Sequence, residues 1–128
     1  GRTMIEKVAS QHAPSADAIL SQAIIANDTI YVSGQIHNST DGKLVEGTVE
    51  EKLQQIMTNI SNILEDAGSS FYKIVKVTIY VTDMSQMADL NKYYPGFFAD
   101  NPLPAREAVC VKELPLGATI EISVVAVR

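Results

Sequence analysis

Residues 103–122 read Leu-Pro-Ala-Arg-Glu-Ala-Val-Cys-Val-Lys-Glu-Leu-Pro-Leu-Gly-Ala-Thr-Ile-Glu-Ile. Two strand-like segments begin here, Arg106 to Lys112 and Thr119 to Val127, joined by a turn region around Pro115-Leu116-Gly117. Arg106 stands at the mouth of the first, and its guanidinium stays charged. Glu121 interrupts the apolar second run between Ile120 and Ile122. Burying a carboxylate without partners is expensive, so a charge in that position calls for a reason. A single small cleft accounts for both residues: Arg106 grips an anionic substrate while Glu121 steers a water or a proton.

The elements before this stretch set its frame. Lys73 to Thr82 alternates around Ile74, Val75, Val77, Ile79 and Val81, the pattern of a central strand. Asp83-Met84-Ser85-Gln86 opens a helix carrying Met87, Leu90, Tyr94, Phe97 and Phe98, which Pro95 should kink or shorten before Asp100-Asn101-Pro102 closes it. Further upstream, Thr48-Val49-Glu50-Glu51 is a capping box. Apolar residues follow at 49, 53, 56, 57, 60, 63, 64 and 67, one face of a helix that Gly68 ends. Ser21 to Ala26 and Thr29 to Ser33 read as a hairpin turned at Asn27-Asp28, stopping at Ser33-Gly34-Gln35. Residues 37–47 form a surface loop, residues 12–17 another, and Met4 to Val8 a short first strand.

The order is strand, strand, strand, helix, strand, helix, strand, strand. It predicts an α+β fold: a mixed six-stranded sheet with both helices packed on one face and a hairpin at each end. Val75, Val77, Ile79, Val81, Val124 and Val127 offer more apolar strand surface than two helices can hide, so association through the open face is expected.

A chain of 128 residues fits one domain spanning 1–128 with a core that needs no disulfide or metal. Gly1–Thr3 precede the first methionine and are set aside as an expression remnant. The net charge of −5 gives no footprint for nucleic acid or anionic membranes. One cysteine rules out an internal disulfide, and two separated histidines, His12 and His37, give a metal site little support. No apolar run reaches membrane-spanning length, and no signal core is visible. The expected setting is the cytoplasm, with an organelle such as the mitochondrion open.

Each candidate residue has a plainer reading beside it. Arg106 also fits a surface ion pair with Glu107 or Glu121, and Glu121 a solvent-facing or interface carboxylate. Gly34 reads as a turn or bulge glycine, or as a place where a ligand approaches the backbone. Cys110 reads as a small buried hydrophobe, His12 and His37 as loop residues, and Tyr93, Tyr94, Phe97 and Phe98 as core packing. No phosphate-binding glycine loop, nucleophile elbow or metal-ligand spacing is present. Chemistry without a cofactor must be easy chemistry, such as hydrolysis of an activated carbon–nitrogen bond or tautomerisation.

Taken together, Ser33-Gly34-Gln35-Ile36, Pro104-Ala105-Arg106 and Ile120-Glu121-Ile122 resemble the Rid family of reactive intermediate deaminases, also called the YjgF/YER057c/UK114 family and endoribonuclease L-PSP. Ile74-Val75-Lys76-Val77-Thr78 and Val125-Ala126-Val127 extend the likeness over nearly the whole chain from Glu6. The resemblance implies a chorismate-mutase-like fold, a homotrimer with clefts between subunits, and no metal or organic cofactor. It implies hydrolysis of 2-imino or enamine acids to 2-oxo acids and ammonia. Arg106 would bind the substrate carboxylate, Glu121 would position the attacking water, and Gly34, Ser33 and Ala108 would line the pocket. Two positions depart from the pattern. Many members read Gly-Pro-Tyr-Ser-Gln-Ala where this chain has Ala18-Ile19-Leu20-Ser21-Gln22-Ala23, so a leucine, Leu20, replaces a tyrosine and cannot donate a hydrogen bond. Ala108 stands where a cysteine is common. Two other functions stay open: a metabolite-binding or regulatory module without turnover, which Leu20 favours, and a ribonuclease or translation inhibitor, which the acidic composition disfavours.

Overall fold

The computed structural model describes residues 4–98 and 100–128; Gly1–Thr3, set aside above, lie outside the described residues. The strands are β1 (Ile5–Val8), β2 (Ala23–Ala26), β3 (Thr29–Ile36), β4 (Ile74–Val81), β5 (Ala105–Cys110) and β6 (Ile120–Val127). The helices are α1 (Val49–Asp66) and α2 (Met87–Tyr93), with short 3-10 turns around them. The sheet order is β1-β2-β3-β6-β4-β5, antiparallel throughout except for the parallel β4–β5 pair.

The α+β architecture follows the sequence pattern, with one topological correction. β5 and β6 do not form the expected hairpin, because β4 lies between them. The connection from residue 111 to 119 instead carries the chain over β4, turning at Leu116 (φ 59°) and Gly117 (φ 79°). β3 and β4 both run antiparallel to β6 and therefore parallel to each other, so α1 and α2 each cross between parallel strands in the same direction along the sheet. Parallel crossovers are almost always right-handed, which puts both helices on one face.

That face holds the core. Leu53, Ile56, Ile60, Ile63 and Leu64 of α1 are fully buried against Ile30, Val77, Ile79, Val81, Ile120 and Ile122. Each such side chain contributes about 1.5–3 kcal/mol of burial. Pro95 shortens the second helix as anticipated: α2 ends at Tyr93, and Tyr94–Phe98 continue as a 3-10 turn that packs Tyr94 and Phe98 inward.

The opposite face differs from the expectation. Val77, Ile79, Val81 and Val124 are all buried beneath the helices, so they offer no open apolar surface. Their alternates in β4 are Lys76, Thr78 and Tyr80, and strand alternation sends these the other way. The uncovered face is thus mixed, with Tyr31, Val109 and Val127 exposed beside Lys76, Thr78 and Ser123.

The helix start is as the sequence reads. Thr48 Oγ1 accepts from the Glu51 amide at 3.2 Å, and the Thr48 amide donates to Glu51 Oε1 at 3.1 Å. Thr48→Ala is therefore expected to cost about 1 kcal/mol. Urea unfolding checks this: the midpoint should fall with the slope unchanged.

Candidate functional site

Glu121 lies on the uncovered face, because its neighbours Ile120 and Ile122 point into the core. It sits in register with Ile36 of β3 and Tyr80 of β4. A bulge in β3 shapes the surface beside it. Val32 stands opposite Val124 but Gln35 opposite Ile122, so one extra residue is accommodated around Ser33-Gly34. β3 thus continues to Ile36 rather than stopping at Ser33.

Gly34 has a specific reason to be glycine. A Cβ there would lie 2.5 Å from Glu121 Oε2 and 2.8 Å from its carboxyl carbon. The group that approaches this backbone is the Glu121 carboxylate. Ser33 anchors the same corner: its amide donates to Gln22 O at 2.9 Å and its hydroxyl to Ser21 O at 2.6 Å. Ser33, Gly34 and Glu121 therefore share one region. Leu20, the residue before Ser21, is 42% exposed, and its amide donates to Ala16 O at 3.1 Å.

Among the described residues no hydrogen bond or ion pair reaches the Glu121 carboxylate. Burial raises its proton affinity above the ordinary carboxylate value. An unpaired, half-buried carboxylate of this kind is suited to accepting and returning a proton.

Arg106 occupies a different place. It pairs in register with Val77, whose side chain is buried under the helices, so Arg106 emerges on the helix face at the β5 edge. There its guanidinium lies 4.8 Å from the ring centroid of Tyr94 and Nη2 donates to Asn91 Oδ1 at 2.7 Å. Ala108, two residues along the same face, is in register with Ile79 and packs partly against the core. Glu107 points to the other face and pairs with Lys76 at 3.3 Å. The ion pair weighed for Arg106 with Glu107 or Glu121 is thus absent among the described residues, and the partners of the arginine are neutral. A single chain does not bring Arg106 and Glu121 together. The single-cleft expectation assumed neighbouring strands, whereas β4 separates them and the register turns them to opposite faces.

Four further residues differ from their sequence reading or were missed by it. Asn91 and Tyr94 hold Arg106; their spacing of one helical turn, aimed at a strand edge, was the available signal. Cys110 is exposed, because β5 is an edge strand. His37 is no free loop residue: it is 1% exposed and bonded at both ring nitrogens. Surface hollows of about 260 and 290 Å³ lie along the outer side of α1, lined by Gln54, Met57, Thr58, Phe71, Tyr93 and Phe97 among others. They include none of the site residues.

Fold and site together define an α+β protein with a half-buried carboxylate of raised proton affinity on the uncovered face of a mixed sheet and an arginine held by neutral partners at its edge. The chain belongs to the endoribonuclease L-PSP family, known also as the Rid or YjgF family, whose sequence profile matches residues 10–128. The 2-iminobutanoate/2-iminopropanoate deaminase of Rattus norvegicus is 41% identical over 128 residues, covering 98% of this chain and 93% of the rat protein. The crystal structure of yeast Mmf1 superposes with a TM-score of 0.94 at 41% identity, covering 98% of this chain and 99% of that one. Escherichia coli TdcF, solved with bound serine, gives 0.90 at 29% identity, with coverages of 96% and 98%.

Proposed function

We propose that the chain hydrolyses reactive 2-imino and enamine acids to 2-oxo acids and ammonia, as a homotrimer whose clefts lie between subunits. The observation that carries this reading is Glu121, a half-buried carboxylate with raised proton affinity and no partner among the described residues. In the reaction, water adds to the carbon of the C=N bond while Glu121 takes its proton. With the substrate nitrogen protonated as an iminium, this addition gives a neutral carbinolamine. Glu121 returns its proton to the amine, the C–N bond breaks, and the hydroxyl proton passes to the departing ammonia as the C=O forms, leaving 2-oxo acid and ammonium. The imine is already electrophilic, so orientation and one proton handler suffice. Arg106 would hold the substrate carboxylate with its forked donors, while Asn91 and Tyr94 keep the guanidinium extended without neutralising it. Because one chain turns the two residues to opposite faces, Arg106 and Ala108 of one subunit would meet Glu121, Gly34, Ser33 and Leu20 of the next. The name of the rat relative and the serine held by the TdcF structure agree in the class of small molecule: an amino-acid skeleton with a free carboxylate.

Leu20 favours a second reading, a module that binds 2-oxo acids without turnover, since it supplies an apolar wall and no hydroxyl at that corner. A coupled assay separates the two. An amino-acid dehydratase generates the imine, and 2-oxo-acid release is followed against the spontaneous rate. Hydrolysis predicts acceleration that disappears in Arg106→Ala. Unaccelerated release with 2-oxo acid still bound would establish the module instead. Cleavage of RNA is disfavoured by the net charge of −5.

A further inference from the structure

Every polar atom of Thr119, two residues ahead of Glu121, is held. Its amide donates to His37 Nε2 at 3.0 Å, and its hydroxyl accepts from Lys52 Nζ at 3.0 Å. Its carbonyl accepts from the Thr82 amide at 3.2 Å and from Gln86 Nε2 at 3.1 Å. On the other side of the ring, His37 Nδ1 lies 2.9 Å from the carbonyl of Val45, whose amide returns a bond to His37 O at 2.6 Å. Asn59, also buried, donates to Asn38 O at 2.9 Å and fixes the backbone beyond the histidine.

These partners leave His37 one state. The Thr119 amide only donates, so Nε2 must present a lone pair; the Val45 carbonyl only accepts, so Nδ1 must carry the hydrogen. Protonation would set an N–H at Nε2 against the N–H of Thr119. The position of the ring gives that conflict a consequence. His37 directly follows Ile36, which lies opposite Glu121 in the β3–β6 register, while Thr119 directly precedes β6. The imidazole is thus a staple across the two strands at the end where Glu121 sits.

We propose that neutral His37 is a positioning residue that pins the start of β6 through the Thr119 amide, and that protonating its ring releases Thr119 and loosens the setting of Glu121. Its bearing on catalysis rests on the role of Glu121 proposed above; the backbone staple does not. The charged groups facing the ring are Lys52 from α1, which opposes a positive imidazole, and Glu46 from the loop, which favours one. Burial is the largest influence, and the proton affinity is held below the ordinary histidine value. With the folded value below the unfolded one, this stabilisation is complete above about pH 6.5 and is lost as the pH falls below it toward the lowered folded value.

Amide hydrogen exchange on the full chain tests the staple, with protection of Thr119 and Ile120 measured from about pH 8 to about pH 5. In the wild type, protection relative to the intrinsic exchange rate should hold at the alkaline end. Below about pH 6.5 it should fall by roughly tenfold per pH unit until the folded value is reached. His37→Gln offers a side-chain oxygen that accepts from Thr119 but does not titrate, so it should keep protection at every pH. His37→Leu should lose it at every pH. Ring nitrogen shifts should report the Nδ1–H tautomer in the wild type. Protection of Thr119 that ignores pH in the wild type, or falls equally in His37→Gln, would overturn the proposal. Turnover is read alongside: besides the acid limb set by Glu121, which both proteins keep, the wild type should show a further loss of kcat below about pH 6.5 that His37→Gln lacks. If no turnover is found while the amide pattern holds, the deamination reading fails and the staple stands.

Discussion

Replacing Glu121 with glutamine should leave the fold intact and lower kcat by roughly 100- to 10,000-fold, the range for losing a positioned general base. Glutamine keeps the length of the side chain and its ability to hold a water, but it cannot take the proton. The carboxylate is closely fitted: β3 bulges beside it, and Gly34 withholds the one carbon that would strike Oε2. The pH dependence follows from burial. Because proton affinity is raised, the active carboxylate should be lost on the acid side at a higher pH than an exposed glutamate would show, and Glu121→Gln should abolish that limb. The stability consequence has the opposite sign to that of a paired carboxylate. A folded pKa above the unfolded one favours the folded state at low pH, and this advantage disappears as the pH rises through the window between the two values. At neutral pH the wild type therefore bears the burden of an ionised, half-buried group. Glu121→Gln should melt no lower than the wild type, and somewhat higher if its amide finds partners. Turnover that survives the substitution would remove Glu121 from the mechanism, and a fall in melting temperature would show that its charge has a partner after all.

The parts legible in the sequence were those governed by local chemistry. The capping box at Thr48, the stripe of α1 and the interruption at Pro95 each depend on neighbours within a turn or two, and all three stand as read. Strand order along the sheet was another matter. Nothing local in Arg106–Lys112 or Thr119–Val127 distinguishes a hairpin from two strands with β4 between them; that choice is made by the crossovers. The same uncertainty governed the site. Glu121 could be singled out as an isolated charge in an apolar run, and Gly34 as a glycine at a strand irregularity. Their approach to within a would-be atomic clash depends on a β3–β6 register that no spacing reveals. His37 and Asn59 were invisible for a related reason. A polar residue in a polar loop or on a helix carries no sign that the loop will fold back over it.

The placement of Arg106 and Glu121 on opposite faces leads to a test that no single-chain site could pass. If Arg106 holds the substrate carboxylate as proposed, Arg106→Ala removes two charge-assisted hydrogen bonds, about 1.5–3 kcal/mol each, and should lower kcat/KM by roughly 100- to 10,000-fold. Alone, Arg106→Ala and Glu121→Gln should each be nearly inactive. Refolded together in equal amounts, they should regain activity. In a cyclic trimer each cleft takes one face from one subunit and the other face from its neighbour, so the arrangement is directional. A Glu121→Gln subunit still supplies Arg106, and an Arg106→Ala subunit still supplies Glu121. Where these two meet in the right order, the cleft between them is wild type in both residues, which random mixing achieves in roughly a quarter of clefts. If both residues served the same cleft from one chain, every cleft in every mixture would lack one of them, and recovery would be nil. Native mass spectrometry can confirm that mixed assemblies have formed. Mixed assemblies without recovered turnover would then mean that Arg106 and Glu121 do not act across a subunit boundary. The arginine would have to be assigned to the α2 edge, with Asn91 and Tyr94, rather than to the chemistry at Glu121.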